Sequence, residues 1–463
     1  MTDSEKPLGA KAIAPTIRPF TGTSGTDLGG LTFTPDSNGA VDRRYFVELL
    51  NGAFAIYDKA TGALVGRRVS AIEFWARAGI QQPVPTDPRI VFIPDAGRHG
   101  QWLAVQLDIG NSVYIATTDP NDPLTDPSLG KWKAAQFDLN GNDAVMLGYD
   151  LDGIYLGSNT SERDSGLPRA PQVVYIPRAN ALAWPPRVGA DDIKVIGPLR
   201  TSDWPNSLFP VMDQSGIGWP YETAIAVNTW SGRHLVFALI SHQFRDIISH
   251  FEIEVPPFKP IDPGHGVLQP SSWGPGGLSA LYFNTGIVAA PMTDGGFNIW
   301  LAHTVKKPDY GPLVIRWYRL AIDPVTRMPG LAATGEIGQP RYDCYNPSIL
   351  SFGKDDTIVV SFSRSGDPDT PSNPDDPACG NIGAYVALVR ESDPDKPEVF
   401  VVRSGKADNY VPSPSLRWGD YSTICRDPDP AHPRRVWLIN QYVLQGGAST
   451  SQWGEVFASV DVP

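Results

Sequence analysis

The chain has 463 residues, of which 45 are glycine and 45 are proline, and its formal net charge is −12. A negative chain offers no basic face for phosphate groups, so nucleic acid is not an expected partner. No stretch approaches the roughly 18 apolar residues that span a bilayer, so no membrane partner is expected either. The turn formers, together with 13 Trp, 16 Tyr and 18 Phe, favour many short strands joined by tight loops.

A repeat of two apolar strands organises the chain. Each copy has a polar residue, an apolar strand, a turn, a second apolar strand and a closing polar residue. The copies begin at positions 44, 87, 143, 222, 285, 346 and 420. The runs IVFIP (90–94), LVFALI (235–240) and TIVVSF (357–362) are apolar on both faces, which is typical of strands buried on both sides. Between the copies lie further strand-like segments, such as 112–119 and 131–138.

This repeat predicts an all-β fold, a single β-propeller of about seven four-stranded blades over residues 1–463. Radial repetition lets each blade bury both faces against its neighbours. Only two clear strands follow the start of the seventh copy, so we expect segment 15–33 to supply a further strand and close the ring. Six or eight blades are the alternatives, because SLFPVM (207–212) fits an outer strand or another blade. A pair of β-sandwiches is the rival architecture.

Two columns of residues are expected around one mouth of the channel. The beginning of the first strand in a hairpin lies beside the end of the second. The starting column is Arg44, Asp87, Asp143, Glu222, Thr285, Asn346 and Asp420. The closing column is Tyr57, Gln106, Asn159, His242, His303, Arg364 and Gln441. This adjacency places Glu222 near His242 and Asn346 near Arg364.

The candidate catalytic residues come from these columns and their neighbours. A histidine beside a carboxylate suits general acid–base work, so His242 and His303 are the candidate acid and base, with Glu222 beside them. Tyr345 and Tyr421 adjoin two members of the starting column and could donate or accept a proton. Capping of strand ends is the alternative role for any Asp or Asn of the starting column.

The candidate substrate-binding residues surround the same mouth. Arg364 could hold a substrate carboxylate in a bidentate pair. The other candidates are Arg89, Asn346, Asn159, Arg417 and Trp230. A tryptophan in a loop can stack on a sugar ring. The insertions 162–171 and 367–379 follow the closing column, so we expect both to lie at the rim of this mouth.

A metal ion is a further expectation for the channel. Carboxylates around an axis can hold Ca²⁺ through oxygen ligands, and Asp143 and Asp420 are the candidate ligands of a structural Ca²⁺. Two histidines with Glu222 would instead suit a transition metal. The expected chemistry itself requires no cofactor.

The segments 346–366 (NPSILSFGKDDTIVVSFSRSG), 417–430 (RWGDYSTICRDPDP) and 435–442 (RVWLINQY) carry a resemblance. They resemble segments of secreted bacterial β-propellers, and the first also resembles the repeats of sialidase-like propellers. Propellers of similar layout include polysaccharide lyases, which use His and Tyr as acid and base and an Arg or amide to hold a uronate carboxylate. The resemblance implies an extracellular or periplasmic protein, although residues 1–15 lack the apolar core of a signal peptide.

The expected function is therefore that of a carbohydrate-active enzyme. A lyase acting on a uronate-bearing polysaccharide is favoured over a sialidase-like glycoside hydrolase, which would use a carboxylate pair such as Asp143 and Glu222. The alternative is a non-catalytic propeller that binds a glycan or a protein on the same face. An enzyme should bring His242, His303 and Arg364 into one deep pocket. The expected partner is a polysaccharide or oligosaccharide, and the expected state is a monomer.

Overall fold

The computed structural model describes residues 14–28, 34–94, 96, 99–108, 112–139, 142–160, 172–196, 209–213, 222–227, 232–241, 247–259, 267–270, 288–291, 297–306, 312–353, 356–408, 410, 418–445 and 451–463. Within these ranges strand predominates over helix. No helix among the described residues is both long enough and apolar enough to cross a membrane.

The described strands form seven antiparallel sheets, which we number blades 1 to 7 in chain order. From the inner to the outer strand, blade 1 contains β2 (Gly39–Val41), β3 (Tyr45–Leu50) and β4 (Ala53–Asp58), and blade 2 contains β5 (Pro85–Ile93), β6 (Gln101–Asp108), β7 (Ser112–Thr118) and β8 (Trp132–Asp138). Blade 3 contains β9 (Asn142–Tyr149), β10 (Gly153–Thr160), β11 (Gln172–Pro177) and β12 (Lys194–Ile196). Blade 4 contains β13 (Phe209–Pro210), β14 (Glu222–Val227), β15 (His234–Ile240) and β16 (Ile247–Glu254).

Blades 5 to 7 continue this order. Blade 5 contains β17 (Val288–Pro291), β18 (Phe297–Lys306), β19 (Leu313–Ile322) and β20 (Pro329–Ile337). Blade 6 contains β21 (Tyr342–Ser351), β22 (Thr357–Gly366), β23 (Gly383–Arg390) and β24 (Asp393–Arg403). Blade 7 contains β25 (Thr423–Arg426), β26 (Arg435–Gln445), β27 (Gln452–Asp461) and β1 (Thr16–Ser24). Two helices, α1 (Ala71–Ala78) and α2 (Arg178–Ala181), accompany blades 1 and 3.

The sheets form a closed ring, which confirms the predicted single β-propeller. Each sheet contacts the next one along the chain, and β25 of blade 7 lies against β2 of blade 1. Seven apolar clusters among the described residues join neighbouring blades, because the strands are buried on both faces. Six sheets have the four strands of a complete blade, whereas blade 1 has three.

Both ends of the described chain lie in blade 7. β1 pairs antiparallel with β27, from Thr16 opposite Asp461 to Phe20 opposite Phe457. The ring of Phe20 stacks on that of Phe457 at 5.3 Å between centroids, and Phe457 stacks at 4.4 Å on Phe46 of blade 1. Each such aromatic pair adds about 0.5–1.5 kcal/mol beyond the burial of its area. The N-terminal strand is thereby joined to the contact between the last blade and the first.

A helix replaces the missing outer strand of blade 1. The segment after β4 pairs with it only through the bridges of Tyr57 with Leu64 and of Phe54 with Val69. Ser70 caps the N-terminus of α1, because its side chain accepts a hydrogen bond from the Glu73 N–H. The apolar face of α1 packs on the sheet, which covers an edge that would otherwise be open to other strands.

Two copies of the predicted repeat are displaced by one strand. Position 44 precedes β3 and position 222 begins β14, and both of these are second strands of their blades. The true inner strands, β2 and β13, have only three and two residues, so neither shows an apolar run. Since second strands run opposite to inner strands, Arg44 and Glu222 lie at the opposite end of the channel from Asp87. Their predicted placement with Asp87 is wrong for this reason.

Candidate site at the upper mouth of the channel

The inner strands enclose a central cavity. β2, β5, β9 and β25 line it, together with the segment that follows β13. Most of its wall is apolar and includes Val41, Ile90, Leu147 and Ile424. We call the end of the channel at which the inner strands begin the upper mouth.

Three carboxylates converge at the upper mouth. Asp36 and Asp420 precede β2 and β25, and Asp87 lies near the beginning of β5. One oxygen from each carboxylate lies within 4.8 Å of the others. Asp36 and Asp87 are only 2% and 6% exposed. We call these three residues the carboxylate triad.

The same backbone turn recurs where the inner strands begin. Asp36, Asp87 and Asn346 have φ angles of 48°, 53° and 50°, in the left-handed region that Asp and Asn tolerate better than most residues. The strand pairing of β5 and β21 is interrupted at Asp87 and Asn346, each of which is followed by a proline. A shared turn in three blades places their polar side chains at equivalent points around the channel.

Hydrogen bonds link these turns from blade to blade. The Asn51 side-chain amide donates to Asp36 Oδ2 at 2.6 Å and its oxygen accepts from the Asp87 N–H at 2.9 Å. Asp36 Oδ1 accepts from the Asp420 N–H at 2.9 Å. Asn346 Nδ2 donates to the Gly419 carbonyl. Blades 2, 1, 7 and 6 are thus connected in order around the upper mouth.

Arg89 spans the channel beside the triad. Its guanidinium carbon lies 3.6 Å from the centre of the Tyr421 ring, and Nη2 lies 2.9 Å from the sulfur of Met146 in blade 3. Burial raises the pKa of the Tyr421 hydroxyl well above its ordinary value, and the negative charge of Asp87 raises it further. Tyr421 therefore stays protonated at neutral pH and serves as a stacking surface for Arg89.

Glu48 is a buried carboxylate at the contact between blades 7 and 1. It accepts hydrogen bonds from the Thr23 N–H at 3.2 Å, from the Thr23 hydroxyl, and from the Tyr57 hydroxyl at 3.0 Å. Burial raises its pKa, although the bonds from Thr23 act against that shift. Glu48 thereby ties the end of β1 to blade 1.

Two further buried oxygens come from the second and third strands of blade 7, β26 and β27. Glu455 Oε1 accepts from the Ser37 hydroxyl at 2.9 Å, and Ser37 is the neighbour of Asp36 in the chain. Burial raises the pKa of Glu455 well above its ordinary value, with further increases from the charges of Glu48 and Asp36. Glu455 Oε2 and Gln441 Oε1 have no hydrogen-bond partner among the described residues. Both side chains are buried, at 0% and 1% exposure.

Four of the sequence-predicted site residues meet at this mouth. Asp420 belongs to the triad, Arg89 and Tyr421 stack beside it, and Asn346 holds the loop that precedes Asp420. The starting column therefore describes blades 2, 6 and 7 well.

His303 does not reach the mouth. It is fully buried on β18, where its Nε2 and the Tyr318 hydroxyl are 2.9 Å apart and the Phe258 ring meets it edge-on. Burial lowers its pKa to about 3, and the nearby charge of Arg316 contributes to the decrease. The predicted placement of His303 as an acid or base at the mouth is corrected. Side chains alternate between the two faces of a strand, and the side chain of His303 lies on the face of β18 that packs against blade 4.

Tyr345 is also part of the core. It is 1% exposed within the cluster that contains Trp418 and Ile382. Burial raises the pKa of its hydroxyl above the ordinary value. This burial corrects the predicted placement of Tyr345 at the mouth, whereas Tyr421, the other tyrosine candidate, does lie beside the triad.

Arg364 holds a loop instead of facing the channel. It donates to Gln339 Oε1 at 2.6 Å, to the Cys379 carbonyl at 3.1 Å and to the Tyr385 hydroxyl at 3.0 Å. Its guanidinium lies between the rings of Tyr342 and Tyr385, at 4.2 Å and 4.0 Å. With all of these contacts and 4% exposure, Arg364 anchors the 367–380 loop, and its predicted placement as a carboxylate clamp is corrected.

Replacing Arg364 by Lys is expected to lower the free energy of unfolding by about 2 kcal/mol, because Lys cannot reproduce the forked hydrogen bonds. Urea unfolding measures the change, and limited proteolysis should show faster cleavage within 367–380. Arg341→Lys is the matched control, since its ion pair with Asp367 is half-exposed and should contribute less than about 1 kcal/mol. Equal losses in the two variants would contradict the anchoring role.

The remaining candidates are described only in part or not at all. Asp143 pairs with Asn159 in the register of β9 and β10, as the columns predict, and Glu222 pairs with Ile240. The structure describes the backbone of these three candidates. His242, Arg417 and Trp230 lie outside the described residues.

The residues at or near the upper mouth that the sequence interpretation missed are Asp36, Asn51, Glu48 and Glu455. The signal for Asp36 was available, since Asp-Ser-Asn precedes β2 as Asp-Tyr-Ser precedes β25. Glu48 and Glu455 lie within strands, where a charged residue normally faces solvent. Their burial depends on how two distant blades meet.

No protein-family model matches this chain, and no curated protein matches it in sequence. Among solved structures it is similar to the Dos1 propeller, with 10% identity, a TM-score of 0.41, and coverage of 96% of this chain and 94% of that one. It is also similar to the Nup133 β-propeller domain of Vanderwaltozyma polyspora, with 11% identity, a TM-score of 0.40, and coverage of 92% and 94%. The WD40 domain of SCAP from fission yeast has 11% identity, a TM-score of 0.40, and coverage of 90% and 79%. These similarities assign no activity to this chain.

Proposed function

We propose that this chain is a binding propeller that takes an oligosaccharide at the upper mouth and does not cleave it. The observation that carries the proposal is the convergence of the three carboxylates of the triad at the upper mouth. Such a surface presents hydrogen-bond acceptors, and sugar hydroxyls are donors that match it. A glycan ligand agrees with the extracellular or periplasmic location implied by the resemblance to secreted propellers.

The charge of the mouth favours a neutral or amino sugar over a uronate. Carboxylates held in a partly desolvated site repel a substrate carboxylate strongly, and the chain as a whole carries −12. A lyase would need a cationic clamp and a reachable acid and base. Among the described candidates, Arg364 is engaged with a loop, and His303 and Tyr345 are enclosed in the core. Arg89 does lie at the mouth, but its guanidinium stacks on Tyr421 and contacts Met146 beside the three carboxylates. A uronate lyase therefore has less support than a binder.

The test combines binding and turnover measurements on one panel of oligosaccharides: a neutral mannan, a glucosamine oligomer and an alginate. Calorimetric titration should detect the neutral or amino sugar, and Asp87→Asn should weaken its binding by about tenfold, the effect of one charge-assisted hydrogen bond. Asp395→Asn, an exposed change on β24, is the matched control and should leave binding unchanged.

Two outcomes would overturn this function. Release of unsaturated uronate absorbance or of reducing ends from any member of the panel would make the chain an enzyme. Absence of binding to every glycan would reject the glycan as its ligand and leave a protein partner as the alternative.

A further inference from the structure

Two buried side chains on neighbouring strands of blade 7 each have an oxygen without a donor. Glu455 on β27 and Gln441 on β26 are directly opposite one another in the strand register. Directly opposite side chains lie on the same face of a sheet, with Cβ atoms about 4.5–5.5 Å apart, so these two can reach each other. Glu455 Oε2 and Gln441 Oε1 have no hydrogen-bond partner among the described residues. Buried acceptors are normally paired, so a donor is expected here.

The orientation of the Gln441 amide is fixed by its other contact. Its Nε2 donates to the Trp418 carbonyl, which the amide oxygen could not do in the same place. Gln441 Oε1 is therefore the atom that needs a donor. An ionised carboxylate only accepts hydrogen bonds, whereas a protonated carboxyl group has an O–H that donates. Protonation of Glu455 would thus supply a donor to Gln441.

We infer that Glu455 is a neutral carboxylic acid in the folded protein and that its O–H donates to Gln441 Oε1. A chain of hydrogen bonds then runs from the Ser37 hydroxyl, which donates to Glu455 Oε1 at 2.9 Å, through Gln441 to the Trp418 carbonyl. Ser37 precedes the inner strand of blade 1, and Trp418 precedes that of blade 7. We call this chain of four residues the proton latch. It joins the two blades that close the ring, and it does not depend on the proposed glycan ligand.

The hydrogen bonds around the nearest carboxylate place the proton on Glu455 rather than on Glu48. The two glutamates flank Gly22, because a Cβ on that glycine would lie 2.6 Å from Glu48 Oε1 and 2.8 Å from Glu455 Cβ. Glu48 accepts from the Thr23 N–H, the Thr23 hydroxyl and the Tyr57 hydroxyl, which favours its ionised form. Glu455 accepts a single side-chain hydrogen bond from the described residues.

The charges that face Glu455 also favour its neutral form. Burial raises the pKa of its carboxyl group well above the ordinary value, and the negative charges of Glu48 and Asp36 raise it further. The hydrogen bond from Ser37 acts against these effects. Two carboxylates that approach each other away from water do not both ionise readily, so an ionised Glu48 keeps the proton on Glu455.

The cations near this cluster act on other groups. The charge of Arg68 lowers the pKa of Glu48, and Arg403 lies 5.6 Å from the centre of the Tyr442 ring. Tyr442 follows Gln441 in the chain, and burial raises the pKa of its hydroxyl, so it stays neutral at ordinary pH. Among the residues that the structure describes, no cation offsets a charge on Glu455.

The proton latch makes the closure of the ring sensitive to alkaline pH. A glutamate in the unfolded chain releases its proton near pH 4.3, whereas folded Glu455 keeps its proton to a higher pH. The stabilisation is therefore complete below about pH 4.3 and is lost as the pH rises through the folded pKa. Between the two pKa values the equilibrium constant for folding falls by up to about tenfold per pH unit. Once ionised, Glu455 no longer donates to Gln441.

Urea unfolding at pH 5, 6, 7 and 8 tests the latch. In Glu455→Gln an amide replaces the acid, so Nε2 can donate to Gln441 while Oε1 still accepts from Ser37, and there is no proton to lose. Relative to this variant, the equilibrium constant for folding of the wild type should fall by at least about tenfold between pH 5 and pH 8. Glu398→Gln, an exposed change on β24, is the matched control and should follow the wild-type curve.

Two further measurements identify which glutamate carries the proton. Glu48→Gln should be less stable than the wild type at every pH, because its amide nitrogen replaces an oxygen that accepts hydrogen bonds. The infrared difference between the wild type and Glu455→Gln at pH 7 should contain the carbonyl stretch of a protonated carboxyl group. A carboxylate band in its place, parallel pH curves for the wild type and Glu455→Gln, or a tolerated Glu48→Gln beside a destabilised Glu455→Gln would each overturn the inference.

Discussion

Replacing Asp427 by Ala is expected to lower the free energy of unfolding by about 3–5 kcal/mol, because it leaves a buried lysine without its counter-charge. Asp427 Oδ1 lies 2.8 Å from Lys59 Nζ, and Oδ2 accepts from Trp437 Nε1 at 2.8 Å. The side chains of Lys59 and Asp427 are 8% and 0% exposed. Lys59 follows the last strand of blade 1 and Asp427 follows the inner strand of blade 7, so this pair lies at the closure of the ring.

Urea unfolding at neutral pH measures the loss. Asp461→Ala is the matched control, because its ion pair with Arg435 lies within blade 7, is about a third exposed at the carboxylate, and should contribute less than about 1 kcal/mol. The double change Lys59→Met with Asp427→Leu should recover much of the loss, since an apolar pair carries no unpaired charge. A loss in Asp427→Ala no larger than in the control would contradict the role of the pair.

The closure of the ring holds several buried polar pairs. Lys59 with Asp427, Glu48 with Thr23, and Glu455 with Ser37 all lie between blades 7 and 1 or at their upper edge. The contact between blades 7 and 1 joins residues as far apart as Lys59 and Asp427. Specific polar pairs there help to define which strand meets which.

The fold could be predicted from the sequence because a blade is a local unit. Runs such as 357–362 show burial on both faces within a few residues, and the polar residue before the inner strand marks where each blade begins. The prediction misplaced the beginnings of blades 1 and 4 by one strand, because β2 and β13 are too short to show an apolar run. The helix α1 also went unpredicted, since it takes the place of a strand in only one blade.

The site could be predicted only in part, because its residues come both from local turns and from contacts between blades. The turn before an inner strand has a fixed relation to the channel, so Asp87, Asn346 and Asp420 were found. A residue near the end of a second strand faces one neighbouring blade or the other according to strand alternation, and both faces are buried. Alternation alone cannot distinguish the channel from the blade contacts that enclose His303 and Arg364.

Acid should destabilise this protein through His303, because burial disfavours the protonated form of its imidazole in the folded state. An unfolded histidine has its ordinary pKa near 6.5, whereas that of His303 is lowered to about 3. Above pH 6.5 both states are neutral and the protein has its full stability. As the pH falls below 6.5 only the unfolded state takes up the proton, so the free energy of unfolding should decrease by up to about 1.4 kcal/mol per pH unit until the pH approaches 3.

His303→Gln isolates this contribution, because a glutamine at this position stays neutral and can still bind the Tyr318 hydroxyl. Urea unfolding at pH 8, 7, 6 and 5 should show the wild type losing about 2 kcal/mol more than the variant between pH 8 and pH 5. His250→Gln, an exposed change on β16, should follow the wild-type curve. Parallel curves for the wild type and His303→Gln would show that His303 takes up its proton in the folded state, which requires a path to solvent. That result would return His303 to consideration as an acid or base, so the measurement bears on the core and on the proposed absence of catalysis together.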